Sequence, residues 1–326
     1  MTPRIVILGA GPAGLSAGLW LKNMGFDPMV LEKDDRPGGM LQFNFLENGW
    51  VLGHPGVTGQ ELGRRFHAHA ASAGVAIRTG VELRALRSGV CGGLALVLRA
   101  DEIVDAAALV VATGTRFRAA EILRGVPGAD ALASGQLVCG PYAFLDLAGQ
   151  AGKHVLVIGG GDNAYENAGL LLDAGAAVTI LMRTRARARR QMRDAVEGRP
   201  GLAVHAQGRV LALRREADDV VVTARAGDGE IRFPVNRIHI LAGYEPNTAF
   251  LADVLPAAWE SLLRRDPAGY LRVDAWGRTG IPGIYAAGDV CNPDFAGVAS
   301  ALAQGARAAR AVARDIRGPD GMSMLV

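Results

Sequence analysis

Residues 4–33 read RIVILGAGPAGLSAGLWLKNMGFDPMVLEK. An apolar run suited to a buried strand meets Gly9-x-Gly11-x-x-Gly14, a helix-length segment follows, and a second apolar run closes on Glu32. Residues 154–183, HVLVIGGGDNAYENAGLLLDAGAAVTILMR, repeat the plan with Gly159-x-Gly161-x-x-Ala164. A single glycine triplet is weak evidence. Two of them, each set between a strand and a helix of matching length, predict two dinucleotide-binding βαβ units.

The glycines have separate tasks. The first permits the tight turn out of the strand, the second lets a pyrophosphate approach the backbone, and the third lets helix and strand pack closely. The phosphates then meet the free N–H groups at the positive end of the helix. The two copies differ where adenosine is read. Glu32 lies 23 residues after Gly9, where a carboxylate accepts hydrogen bonds from a ribose diol and repels a 2′-phosphate. The same offset from Gly159 falls on Met182, followed by Arg183, Arg185, Arg187, Arg189, Arg190 and Arg193. No acid blocks a phosphate there, and guanidinium groups can clamp one. The first unit therefore suits FAD or NAD and the second NADP(H); the competing reading of the arginine run is a solvated basic face.

The chain of 326 residues is long enough for two domains, and half of its residues are hydrophobic, as in a globular protein. A net charge of +3 gives no support to nucleic-acid binding. Three cysteines, Cys91, Cys139 and Cys291, are too few and too scattered for a disulfide framework, so a reducing, cytoplasmic setting is expected. The apolar run from Ile5 to Leu21 behind Arg4 has the outline of a secretory leader, but its glycines are better explained by the nucleotide turn. No uninterrupted apolar stretch is long enough to span a bilayer.

Further motifs punctuate the rest. LVVATGTRF (109–117) reads as a buried strand ending in Thr113-Gly114. HILAGYEPNTAF (239–250) is a strand, a glycine turn and Pro246-Asn247-Thr248. GIYAAGDVCNPDFAGVASALAQGARAARAVARDI (283–316) is a strand ending in Gly288-Asp289, then a long Ala-rich helix. The ordered set GAGPAG, PGG, VATGT, GGGDNAYENA, GYEPNT and AAGDV resembles the low-molecular-weight thioredoxin reductase group of flavoproteins over nearly the whole chain.

That resemblance implies an α/β protein of two Rossmann-like, three-layer ββα dinucleotide-binding domains, with the NADP(H) domain inserted into the FAD domain. The FAD domain would comprise residues 1–116 and 246–326, and the NAD(P)H domain residues 117–245. It also implies a homodimer and a small-molecule or redox-protein electron acceptor. Carried onto this chain, Gly9, Gly11, Pro12, Ala13, Gly14 and Glu32 hold the FAD adenosine and pyrophosphate. Gly38, Gly39 and Met40 approach the flavin, with Thr113, Gly114, Gly288 and Asp289 completing that site. Gly159, Gly161, Asp162, Asn163 and Ala164 form the nicotinamide-cofactor turn, with Glu166 in the helix that follows and Arg183 and Arg185 near the phosphate.

The chain departs from the group in four places. The Cys-x-x-Cys that relays electrons from flavin to thioredoxin is replaced by Cys139-Gly140-Pro141-Tyr142, and a single thiol cannot cycle through an internal disulfide. With the group's usual spacing the pair falls instead on Tyr142 to Leu145, with no sulfur at all. A remote Cys139–Cys291 pair is the other arrangement to weigh, against two ordinary buried thiols. Met182-Arg183-Thr184 stands where the group has His-Arg-Arg, and Ala296-Gly297-Val298 where it often has Arg-Gln-Ala, removing a cation that steadies reduced flavin. In LGHPG (52–56), His54 replaces an aromatic and is an acid/base candidate beside Cys139 and Tyr142, weighed against a packing role. The expected activity is hydride transfer from NADPH to FAD and onward to an acceptor without a dithiol. YAFLDLAGQAGKHV also resembles the ferredoxin–NADP reductase branch. A flavin oxidase or biosynthetic redox enzyme with a decayed second site, and a non-enzymatic nucleotide sensor, remain alternatives.

Overall fold

A computed structural model describes residues 2–89, 92–133 and 135–318, so Cys91 lies outside the described residues. The chain divides into two compact units, Met1–Arg116 with Glu245–Val326, and Phe117–Tyr244.

The first unit opens with β1 (Arg4–Leu8), α1 (Pro12–Asn23), β2 (Asp27–Leu31), α2 (Gly59–Ser72) and β3 (Ala76–Arg78). An antiparallel trio follows, β4 (Leu83–Ser88), β5 (Leu94–Leu98) and β6 (Ile103–Ala106), then β7 (Ala108–Val111) and β8 (Thr115–Phe117). After the second unit the chain adds the last strand, Ile284–Ala286, and a C-terminal helix, Val298–Arg317. The last strand, β7, β1, β2 and β3 form, in that order, a parallel sheet.

Period-two alternation builds three layers from that sheet. Ile5 and Ile7 of β1 pack with Leu15 and Leu21 of α1 and with Ala308 and Val312 of the C-terminal helix. Val6 and Leu8 face the other way, against Leu86, Leu96 and Val104 of the antiparallel trio. The C-terminal helix lies so close to α1 that a Cβ on Gly305 would run into the Ala13 carbonyl. Ser16 Oγ donates to the Leu302 carbonyl at 2.7 Å across the same contact.

The second unit repeats the scheme. Its elements are β9 (Leu137–Cys139), β10 (His154–Ile158), α3 (Asp162–Asp173), β11 (Ala177–Leu181), β12 (Leu202–His205), β13 (Gly208–Glu216), β14 (Asp219–Ala226), β15 (Gly229–Val235) and β16 (Arg237–Ile240). A parallel sheet runs β12-β11-β10-β16-β9, and β13-β14-β15 are antiparallel. Val155 and Val157 meet Tyr165, Ala168 and Leu171 of α3, whereas Leu156 meets Val220, Val222 and Ala224 of β14. The unit boundaries fall inside β8 and β17 (Tyr244–Pro246), which pair with each other. Among the described residues no helix is long and apolar enough to cross a membrane.

Candidate functional site

In the first unit the glycines singled out above gather at the carboxyl ends of the parallel strands, the edge at which open α/β sheets take ligands. Gly9 follows β1 with φ +104°, and a Cβ there would strike the Ala112 carbonyl and lie 3.3 Å from Thr113 Cα. A Cβ on Gly14 would run into the Gly9 carbonyl, which is why the third glycine is needed for helix and strand to pack. Gly38, with φ +123°, donates its N–H to the Ala10 carbonyl at 2.9 Å, and a Cβ on Gly39 would sit 3.2 Å from Gly11 Cα. On Gly288 a Cβ would fall 2.7 Å from the Ala13 Cβ. Gly11 itself is unobstructed apart from Gly39 Cα at 3.9 Å, and Pro12, without an N–H, occupies the first helical position of α1. Met40 follows in a short 3₁₀ turn, half-buried.

Polar groups converge on the same edge. Glu32 is buried at the end of β2, accepting from Ala10 N–H at 2.7 Å and Asp34 N–H at 3.0 Å. A carboxylate has about four acceptor positions, so two remain for a ribose diol. Asp289 follows Gly288 and accepts from Gly297 N–H at 3.3 Å; burial pushes its carboxyl above the usual range. Gln304 holds that turn by accepting from Gly288 N–H at 2.8 Å. Thr113 Oγ1 donates to the Asn247 carbonyl at 2.8 Å, Asn247 Nδ2 donates back to Thr113 O at 2.9 Å, and Asn247 N–H reaches the Gly114 carbonyl at 3.0 Å. A glycine cradle on the backbone, a buried acid after β2 and an acid after the last strand form a donor set that fits FAD.

The second unit builds the matching edge. A Cβ on Gly159, φ +152°, would strike the Leu241 carbonyl at the end of β16, whereas Gly161 is open. Ala164 stands at the third motif position, fully buried, so here the packing tolerates a methyl group. Met182 is buried rather than presented to a ribose, and Arg183, Arg185 and Arg187 are exposed. Asp162, first residue of α3, accepts from Arg189 N–H at 2.7 Å and from Arg189 Nε at 2.6 Å. The Gly160 carbonyl accepts from Arg187 N–H at 2.7 Å and Ala188 N–H at 3.0 Å. Glu166, one turn into α3, has its carboxyl raised by burial and by the Asp162 charge. An open glycine at the start of a helix and exposed cations beside it fit a phosphorylated pyridine nucleotide.

The departures from the dithiol pattern take definite positions. Cys139 closes β9 and Cys291 follows Asp289; both are free cysteines. Burial raises both thiols, Cys291 to about 12 with help from the Asp289 charge, so neither is a thiolate at neutral pH. Tyr142 folds back over Gly140 and stands edge-on to Phe117 at 6.1 Å; Phe117 in turn lies 5.1 Å from Tyr244. The Tyr244 hydroxyl is hydrogen-bonded to Asn163 Nδ2 at the start of α3. Tyr142 is thus joined through rings to the nucleotide turn. His54 sits on a turn of the first unit with its ring edge-on to Phe66 of α2 at 6.2 Å, a packing contact. Sequence reasoning missed the Asn247 staple, the Gln304 brace and the Asp162–Arg189 pair; each joins residues far apart in the chain, and no local spacing announces them.

Comparison with known proteins agrees with this geometry. The pattern of the pyridine nucleotide-disulphide oxidoreductase family matches residues 3–307. A thioredoxin reductase of Streptomyces coelicolor is 29 % identical over 319 residues, 94 % of this chain and 91 % of that protein. A ferredoxin–NADP reductase of Ignicoccus hospitalis is 30 % identical over 294 residues, 87 % of this chain and 89 % of that one. The crystal structure of T. acidophilum thioredoxin reductase superimposes with a TM-score of 0.80 at 29 % identity, covering 94 % of this chain and 96 % of that one.

Proposed function

The chain belongs to the pyridine nucleotide-disulphide oxidoreductase family, as an FAD-dependent oxidoreductase, and on that premise we propose that it passes electrons from NADPH through FAD directly to an external acceptor. Bound FAD supplies the hydride-accepting and electron-donating chemistry. The chain's own residues do the rest. Gly9 and Gly11 admit the pyrophosphate to the backbone, Gly38 and Gly39 approach the flavin, Glu32 orients the adenosine ribose, and Asp289 and Gly297 shape the far end of the site. Gly159, Gly161 and the start of α3 seat the pyridine nucleotide, and the arginine run neutralises its phosphate.

One observation carries the direct route: where a dithiol relay has its second sulfur, this chain has Tyr142, while its described cysteines, Cys139 and Cys291, are thiols held protonated by burial. Among the described residues an electron pair leaving the flavin therefore has no disulfide to open. A second reading, ferredoxin–NADP reductase, is favoured by the 30 % identity to a relative of that name. The proposal includes a cytoplasmic homodimer, which sedimentation of the purified holoprotein checks. The deciding experiment is anaerobic reduction with NADPH followed by a panel of acceptors: thioredoxin, ferredoxin, quinones and oxygen. Bleaching of the flavin band by NADPH and turnover with an acceptor other than thioredoxin are expected. Bleaching by a substrate alone, with NADPH inert, contradicts the reading and points to an oxidase.

A further inference from the structure

The second unit's run of arginines is not uniform. Arg189 is committed to Asp162 through its backbone N–H and its Nε, and Arg190 pairs with Asp194 at 3.3 Å. Arg183, Arg185 and Arg187 alternate with Thr184, Ala186 and Ala188. Ala188 is buried and Ala186 packs against the same core as α3, whereas Thr184 and the three arginines are exposed. One phosphate can be met by two or three guanidinium groups, and these three lie within five residues just after β11.

The segment is pinned to the nucleotide turn at two points. Gly160 O receives the N–H groups of Arg187 and Ala188, and a Cβ on Gly160 would lie 3.1 Å from the Met182 Cβ, so a bare backbone is what lets the strand end and the arginine segment rest on the turn. Asp162 is the second pin. Unpaired, an acid at the first position of α3 would repel a phosphate arriving at that helix end. Here its charge is met by the Arg189 guanidinium, with both carboxylate oxygens accepting bonds from that residue.

We infer that Asp162 and Arg189 are positioning residues rather than ligands: their pair holds the segment carrying Arg183, Arg185 and Arg187 against the glycine turn, and Arg187 joins Arg183 and Arg185 in reading the 2′-phosphate of the nucleotide. The inference rests on the second unit being the pyridine-nucleotide unit. It separates the acid of the glycine turn from direct cofactor binding and makes selection of the phosphorylated nucleotide depend on an ion pair.

Calorimetry on the purified holoprotein with 2′,5′-ADP and with 5′-ADP tests this without turnover. Arg187→Ala is exposed and removes only a side chain. It is expected to weaken 2′,5′-ADP by roughly 10-fold or more while 5′-ADP changes less than about twofold, the usual size of one lost charge-assisted bond. Asp162→Asn and Arg189→Ala are each expected to weaken 2′,5′-ADP selectively, with the double variant no weaker than the worse single one. Additive losses, equal losses for the two ligands, or no loss in any variant overturn the inference. If the parent protein binds neither ligand, the assignment of the second unit itself fails, a result distinct from a parent that binds both with a preference untouched by the variants.

Discussion

At the scale of single residues, Glu32 does two jobs with one carboxylate. It accepts from two backbone N–H groups, and in the proposed function its remaining acceptor positions take the adenosine ribose. Glu32→Ala leaves both donors without an acceptor, a cost of about 1–3 kcal/mol each, and is expected to yield protein with a reduced flavin-to-protein absorbance ratio. Its place at the end of β2 was legible because strand, glycine turn and acid follow one another at a fixed spacing. Arg189 was not legible: five neighbouring arginines look alike in sequence, and only the fold shows which one meets Asp162. His239 was equally hidden. It is fully buried in β16 with no hydrogen-bond partner at either ring nitrogen, and burial, followed by the Arg237 charge, lowers its pKa to about 4. The unfolded chain binds the proton with a pKa near 6.5, so the native state is penalised as pH falls from about 6.5 towards 4, by at most about 3 kcal/mol. His239→Leu is expected to flatten that acid limb in urea unfolding measured at pH 7 and pH 5. An equal loss of stability between the two pH values in parent and variant would remove His239 as its cause.

At the scale of elements, the glycines that mattered most lie where two backbones touch. Gly305 belongs to the Ala-rich C-terminal helix, and its missing side chain lets that helix press on α1 at Ala13. Gly305→Val pushes the helices apart along the contact that also carries the Ser16–Leu302 bond. The expected cost is about 2 kcal/mol or more, seen as a lowered unfolding midpoint, while the same change at Gly80, which has nothing within 4 Å, acts through its φ of +66° alone. The two βαβ units could be read directly, since strand, turn and helix are contiguous and Gly9, Gly14 and Gly159 each sit where a Cβ would strike backbone. The antiparallel trios β4–β6 and β13–β15 left no such trace. Their strands are specified by which side chains find the second face of the parallel sheet, as Leu96 finds Val6 and Val222 finds Leu156, and that pairing is not local.

At the scale of the whole molecule, one chain carries two nucleotide edges built alike and loaded differently: a buried acid after the second strand in the first unit, a buried methionine and exposed arginines in the second. Among the described residues the two cysteines, Cys139 and Cys291, are free thiols and form no pair to pass electrons on. Replacing Cys139 and Cys291 with serine is therefore expected to leave NADPH-driven flavin reduction within about threefold of the parent in stopped flow, since buried protonated thiols are poor redox partners. The most direct test counts electrons. Anaerobic titration of the holoprotein with NADPH, followed by the flavin absorbance, is expected to reach full bleaching at about one equivalent per flavin, because no disulfide draws a second pair. An end point at about two equivalents per flavin would show a hidden redox-active disulfide and contradict direct transfer.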